Sequence, residues 1–310
     1  MIPSVISNQL KQGVDDFLRT TFPIATPFFH GLVEDLLNQE GSVFKGPYIS
    51  ISLPFRKSVG RKEVFSDIPF EYDPYVHQLK AFERLSGDAL SSTIIATGTG
   101  SGKTECFLYP IMDYCYKHRN EDGIKAILIY PMNALATNQA SRIAKMIYNN
   151  QKLRGQITAG LFIGQNEQDP SVGMTSDGII TNKDILRDNP PDILLTNYKM
   201  LDYLLIRIKD RKLWQNNNQK SLKFLVVDEL HTFDGAQGTD LSCLIRRLKD
   251  RLKMPQDYLC CVGTSATIGS EREIKKLLDY VKNLFDEPFD STSIITEDRI
   301  GISEYLAEAS

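Results

Sequence analysis

The chain lacks the features that mark several protein classes. Its five cysteines (Cys106, Cys115, Cys243, Cys260 and Cys261) are an odd number with no C-x-x-C spacing, so there is no disulfide framework to read, and reduced structural thiols are predicted. No apolar run approaches the roughly 18 residues of a membrane span. The opening "MIPSVISNQLKQGVDDFL" has neither the charged start nor the unbroken apolar core of a signal peptide. A cytoplasmic protein with no membrane partner is the expectation. Net charge is also scarce: 36 Lys and Arg against 39 Asp and Glu leave −3. Bulk electrostatics therefore gives no pull toward nucleic acid, and any polyanion contact must come from a local patch. There is no internal repeat and no low-complexity stretch beyond a short Asn run.

What is present is a rhythm. From about residue 90, short β-branched runs alternate with longer helix-like segments: "STIIAT", "AILIYP", "ITAGLFIG", "DILLTNY", "KFLVVDEL" and "YLCCVGTSAT". Such alternation predicts an α/β fold with a mostly parallel sheet, and near-continuous apolar strands predict helices on both of its faces. One helix is well marked, because Leu241, Leu244, Ile245, Leu248 and Leu252 share a face while Arg246, Arg247, Lys249 and Arg251 lie elsewhere, as a solvated surface. Residues 1–70 read differently. A helical start gives way to "FKGPYISISLPFRKSVG", an extended segment punctuated by Pro and Gly, and together they form an accessory segment outside the repeating core.

The first strand runs into "TGTGSGKT" and then into an apolar helix. A strand that turns through glycines into a helix leaves several backbone N–H groups facing one concavity at the positive end of the helix dipole, which suits phosphate. Thr99, Gly100, Ser101 and Gly102 form the turn. Lys103 can reach the β- and γ-phosphates of a nucleotide, and the Thr104 hydroxyl can ligate Mg²⁺. The full pattern G-x-x-x-x-G-K-[ST] asks for glycine at 97, where this chain has Thr97.

A second strand ends in Asp228 and Glu229, and open α/β sheets place ligands at strand carboxyl ends. Asp228 is suited to hold Mg²⁺, and Glu229 to orient and deprotonate an attacking water. Alone the pair is a weak signal; with a phosphate loop on another strand end it becomes a strong signal of a nucleotide–Mg²⁺ site.

In order along the chain, these stretches resemble the first RecA-like domain of a superfamily-two DExD/H-box helicase, over roughly residues 72–270. "TGTGSGKT" resembles motif I, which in this superfamily does not need the first glycine. "VDELH" resembles motif II, and "TSAT" motif III. "YVHQ" is similar to the adenine-reading Q motif, which implies Tyr75 and Gln78 as base-binding residues, although Gln78 also suits a plain helix surface. His231, Ser265 and Thr267 are implied to couple nucleotide state to movement, against a structural role for the histidine and turn roles for the other two. "YPMNALATNQ" and "LLTNYKML" look like motifs Ia and Ib. Pro131, Asn133, Thr137, Thr196 and Asn197 are thereby implied to grip a nucleic-acid backbone with neutral donors. "DELHTFDGAQGTDL" and the trailing "LFDEPFD…IITEDR" most resemble the large bacterial helicases related to Lhr and MrfA/YprA, a group with roles in DNA repair and phage defence.

The resemblance implies an ATP-dependent motor that moves on single- or double-stranded nucleic acid, with DNA favoured over RNA. Helicases of this kind need a second RecA-like domain that supplies arginine fingers, worth roughly 10³ to 10⁵ in rate in other P-loop enzymes. The expected organisation is an accessory segment at 1–70, a RecA-like domain at 71–290, and at 291–310 the start of a linker toward that second domain, present in cis or in trans. Weak turnover is expected without it. A nucleotide- and nucleic-acid-binding module without motor activity fits the same motifs. A small-molecule kinase or GTPase does not, since no N-K-x-D guanine signature is present.

Overall fold

The alternating pattern forms one seven-stranded sheet in the computed structural model, which describes residues 3–24, 26–29, 31–39, 41, 52–59, 64–68, 72–87, 89–164, 169–266 and 271–309. Helices α1 (Pro3–Thr21), α2 (Leu32–Asn38) and α3 (Val76–Leu85) precede strand β1 (Thr93–Ala96). Strand and helix then alternate through α4 (Lys103–Lys117), β2 (Ala126–Ile129), α5 (Asn133–Asn149), β3 (Ala159–Phe162), α6 (Lys183–Asp188) and β4 (Ile193–Thr196). The series continues with α7 (Tyr198–Ile206), β5 (Phe224–Val227), α8 (Gly235–Leu252), β6 (Cys260–Ser265), α9 (Glu271–Phe285), β7 (Ile294–Thr296) and α10 (Ile302–Ala309).

All six strands read from the sequence are present, and every pairing is parallel, in the order β3-β4-β2-β5-β6-β1-β7. The seventh strand was not legible. It lies in "STSIITEDRI", inside the stretch from 291 expected to begin a linker, yet it pairs in register with β1 so that Ala96 faces Thr296.

Alternate strand residues feed two cores, one on each face of the sheet. Ile95, Leu128, Leu195, Val226 and Val262 pack with Phe82, Phe107 and Ile143 from α3, α4 and α5. Ile94, Ile127, Ile129, Leu194 and Val227 pack with Leu201, Leu244 and Phe285 from α7, α8 and α9. Helix α8 buries the five aliphatic positions expected of it. Its basic face is less solvated than expected, because Lys249 is mostly buried beside Glu287 at 2.5 Å. All five cysteines are free thiols, four of them buried.

The chain divides into two compact units, Met1–Leu53 and Pro54–Ser310. In the first, the α1 residue Arg19 pairs with Glu34 of α2 at 2.7 Å. The division falls before the expected edge at residue 70, for a reason visible in the second unit. There the Ser58 N–H donates to the Pro74 carbonyl and the Arg56 N–H to the Asp298 carbonyl, both at 2.8 Å. Residues 44–51 and 60 of the extended segment lie outside the described residues.

Candidate nucleotide site

Six residues, Thr97 to Gly102, carry the chain from the tip of β1 to the first turn of α4. Gly100 and Gly102 both adopt φ +76°, the left-handed conformation that side chains resist. At Gly102 a Cβ would also fall 2.3 Å from Gln78 Nε2, so glycine is required there twice over. Thr97, in the place of the missing glycine, has its own task. Its hydroxyl lies 2.7 Å from that of Ser101, and this buried pair braces the loop across its base.

Helix α3 holds the loop from behind. His77 donates from Nε2 to the Ser101 carbonyl at 2.8 Å, and Gln78 donates from Nε2 to the Gly102 carbonyl at 3.2 Å. At the loop's entrance the Gly98 N–H donates to Glu297 Oε2 at 2.8 Å. Thr99 and Gly100 stay exposed at the crest. Lys103 and Thr104 open α4, where the first N–H groups lack intrahelical partners and favour an anion.

The acidic pair stands two strands away, with β6 between β1 and β5. Two strand spacings make about 10 Å, a gap that a lysine side chain can largely span. Lys103 Nζ does so, lying 3.3 Å from the Ser265 carbonyl on β6 and 4.0 Å from Glu229 Oε1 beyond β5. Glu229 itself sits at φ +52°, strained backbone for a non-glycine residue. Thr264 secures it: the Glu229 N–H donates to the Thr264 hydroxyl oxygen at 2.9 Å, and that hydroxyl donates in turn to Asp228 Oδ1.

Burial pushes the Asp228 carboxyl above its ordinary pKa, and the neighbouring Glu229 charge adds to this; the Thr264 hydroxyl and Lys103 oppose it. A desolvated carboxylate beside a second one is an environment that a cation relieves. Among the described residues no group of three or more His, Cys, Asp or Glu could hold a metal by itself. Hard oxygen donors as few as Asp228 and the Thr104 hydroxyl suit Mg²⁺, which keeps waters and shares phosphate oxygens. The residues present thus fit a magnesium–nucleotide pair. The cleft in front of them measures about 580 Å³ and is bordered by Tyr75, Gln78, Lys103, Thr104, Arg142 and Glu229.

Other expected residues are placed less simply. Gln78 is buried, and its Oε1 accepts the Tyr75 N–H at 2.9 Å while its amide nitrogen serves the loop. One N–H and one lone pair remain for a base. His231 lies beside Glu229, with Nδ1 3.4 Å from Oε2. Ser265 offers its carbonyl to Lys103, and its neighbour Thr264 is the residue whose hydroxyl reaches Asp228; successive strand residues face opposite sides of the sheet. Thr267 lies outside the described residues.

Pro131, Asn133 and Thr137 do gather where β2 turns into α5, though the Thr137 hydroxyl donates to the Asn133 carbonyl of its own helix at 3.0 Å. Thr196 requires a correction: it is fully buried and its hydroxyl donates to the Phe162 carbonyl at 2.7 Å, so its side chain is not presented to a strand outside. Flanked by β2 and β3, the last residue of β4 has no open side. Asn197, one residue on, accepts the Met200 N–H at the start of α7 and donates to Asn133 Oδ1 at 2.7 Å. This bond sets the N-termini of α5 and α7 side by side. Sequence reasoning gave no role to His77, Thr264 or Glu297, although each stands in a stretch that had drawn attention: "YVHQ", "TSAT" and "IITEDR".

A parallel sheet with a glycine-bearing phosphate loop at one strand tip and an acidic pair at another defines a RecA-like P-loop domain. Residues 75–277 match the family DEAD/DEAH box helicase, and the chain belongs to that family. It is 27% identical to Druantia protein DruE of Escherichia coli (strain UMEA 4076-1), over 64% of this chain and 16% of the relative. It is 30% identical to the uncharacterized ATP-dependent helicase MJ1574 of Methanocaldococcus jannaschii, over 76% of this chain and 33% of the relative. Among solved structures, the DUF1998 helicase MrfA bound to DNA superimposes with TM-score 0.54 at 25% identity, covering 73% of this chain and 28% of that one. The chain thus spans a third or less of the length of these relatives.

Proposed function

We propose that this chain is the ATP-binding motor half of an ATP-dependent nucleic-acid helicase or translocase, acting with a second RecA-like domain in cis or in trans. The observation that carries the reading is the convergence of Lys103, from the loop after β1, on Glu229 and the β6 tip. The loop N–H groups and Lys103 bind the phosphates. Thr104 and Asp228 hold Mg²⁺, which neutralises phosphate charge. Glu229 takes the proton of the attacking water.

The paired N-termini of α5 and α7 offer backbone N–H groups to successive phosphates of a strand, a grip that needs little net charge. DNA is the favoured strand, since the MrfA structure compared above is of a helicase bound to DNA. The cytoplasm is the expected location.

The test is nucleotide binding by this chain with a fluorescent ATP analogue, and ATPase activity after a second RecA-like domain is appended, with and without single strands. Lys103→Ala is expected to weaken binding about 100-fold or more, and Glu229→Gln to spare binding while lowering stimulated turnover by about 10² or more. Stimulated turnover unchanged by either substitution would sink the motor reading. Vigorous hydrolysis by the isolated chain would sink the need for a second domain.

A further inference from the structure

Glu297, in the "IITEDR" stretch, has no role assigned above, yet it touches the phosphate loop. Register with β1 puts Thr296 opposite Ala96, so the next residue on each strand enters the loop region together. Glu297 Oε2 accepts the Gly98 N–H at 2.8 Å, and Glu297 Oε1 accepts from Arg299 Nε at 2.7 Å. A carboxylate beside a polyphosphate site would repel the ligand unless its charge were balanced. Arg299 supplies that balance, and its guanidinium is in turn stacked 4.0 Å over the Phe55 ring.

Phe55 packs against Tyr75 and His77, with ring centroids 5.3 and 5.4 Å away, and His77 is the residue that holds the Ser101 carbonyl. The loop is therefore gripped at both ends by one connected structure: Glu297 at Gly98, His77 at Ser101. The chain beyond Glu297 is fastened into the same structure. The Ile300 N–H donates to the Pro54 carbonyl at 3.1 Å, and Arg56 pairs with Asp298 at 3.0 Å and Glu304 at 2.6 Å.

We propose that Glu297 is a positioning residue for nucleotide binding, which fixes the entrance of the phosphate loop through the Gly98 N–H and ties it to the segment that follows β7. This rests on the reading of the loop as an ATP site. Glu297 reaches the nucleotide only through the backbone it holds, so what it needs is an acceptor oxygen, and its charge is needed only to engage Arg299.

The experiment compares Glu297→Ala and Glu297→Gln with the unmodified chain and with Lys103→Ala, using a fluorescent ATP analogue with Mg²⁺, thermal melting, and amide exchange of the peptide covering residues 97–102. Glu297→Ala is expected to weaken binding about tenfold, or about 1.4 kcal/mol. It should also speed exchange in that peptide while the melting temperature of the nucleotide-free chain stays within about 2 °C. Glu297→Gln keeps an acceptor oxygen and is expected to bind within about twofold of the unmodified chain. Wild-type affinity or unchanged loop exchange in Glu297→Ala, with Lys103→Ala still defective, overturns the inference alone. Equal weakening by both Glu297 substitutions, or a large melting loss in both, also overturns it. An unmodified chain that binds no nucleotide overturns both the inference and the ATP reading.

Discussion

The Thr264 hydroxyl donates to Asp228 Oδ1 while it accepts the Glu229 N–H at 2.9 Å, so one side chain on β6 governs both acids at the tip of β5. Its bond lowers the Asp228 pKa that burial raises. Thr264→Val removes that bond, and the carboxyl then holds its proton to higher pH. Mg²⁺-dependent binding of an ATP analogue, followed from pH 5 to 8, should show its acid limb displaced upward, with affinity at pH 7 lowered about tenfold. Thr264→Ser should restore the profile. An unmoved profile in Thr264→Val would show that the bond does not set the charge of Asp228.

Asp228 is held at some cost to the fold. Its folded pKa is raised above the ordinary value of 3.8, so its contribution to stability is present in full below that pH and is lost as pH rises through the folded value. Near neutrality the buried charge is a burden. Asp228→Asn should raise the melting temperature of the nucleotide-free chain at pH 7 by about 2–4 °C, the shift that roughly 1 kcal/mol gives in a domain of this size. Little gain is expected at pH 4. A melting temperature at pH 7 that is unchanged or lower would contradict this account.

His77 works in the opposite sense. Burial holds its pKa below 6.5, and its Nδ1 has no partner among the described residues, so a proton there would add a buried donor with none of them to accept it. The stability that neutral His77 contributes is present above pH 6.5 and lost as pH falls through the lower folded value. Melting between pH 7 and pH 5 should therefore fall more steeply for the unmodified chain than for His77→Gln. Parallel slopes would remove His77 as the titrating group.

Gly102→Ala is expected to fail for backbone reasons. Alanine at φ +76° costs of order 1 kcal/mol or more, and its Cβ would displace the Gln78 amide from the loop carbonyl. ATP-analogue affinity should drop by about tenfold or more with a melting loss of a few degrees. Gly100→Ala shares the strained φ but meets no atom of the described residues within 4 Å and should lose less.

Asn197 joins helix capping to the proposed strand grip. Asn197→Ala should cost about 1 kcal/mol of stability through loss of the α7 cap. Asn197→Asp keeps the cap but can no longer donate to Asn133 Oδ1 and adds negative charge between two helix N-termini. Its melting temperature should stay near that of the unmodified chain while single-strand affinity falls about tenfold. Unaltered strand binding in Asn197→Asp would move the interface elsewhere.

The fold was legible because burial on both faces of a parallel sheet writes long β-branched runs, and the glycines, Lys103 and the acidic pair stand at the ends of such runs. What escaped reading was whatever depends on contacts between segments distant in sequence. β7 is three residues long and is a strand only because β1 lies beside it. Thr264 and Ser265 are equivalent as letters, and only the facing of β6 decides which one reaches Asp228. Thr196 looks like a donor on a strand-end loop, but its neighbours on both sides close it in. Glu297 lies 199 residues beyond Gly98.

The strand order leaves β6 wedged between the strand that carries the lysine and the strand that carries the acids. Its tip thus serves as a shared fulcrum: Thr264 steadies one side and the Ser265 carbonyl receives Lys103 from the other. A shift of that tip by a fraction of an ångström would be felt by phosphate-binding and water-activating groups at once, with neither needing to contact the other.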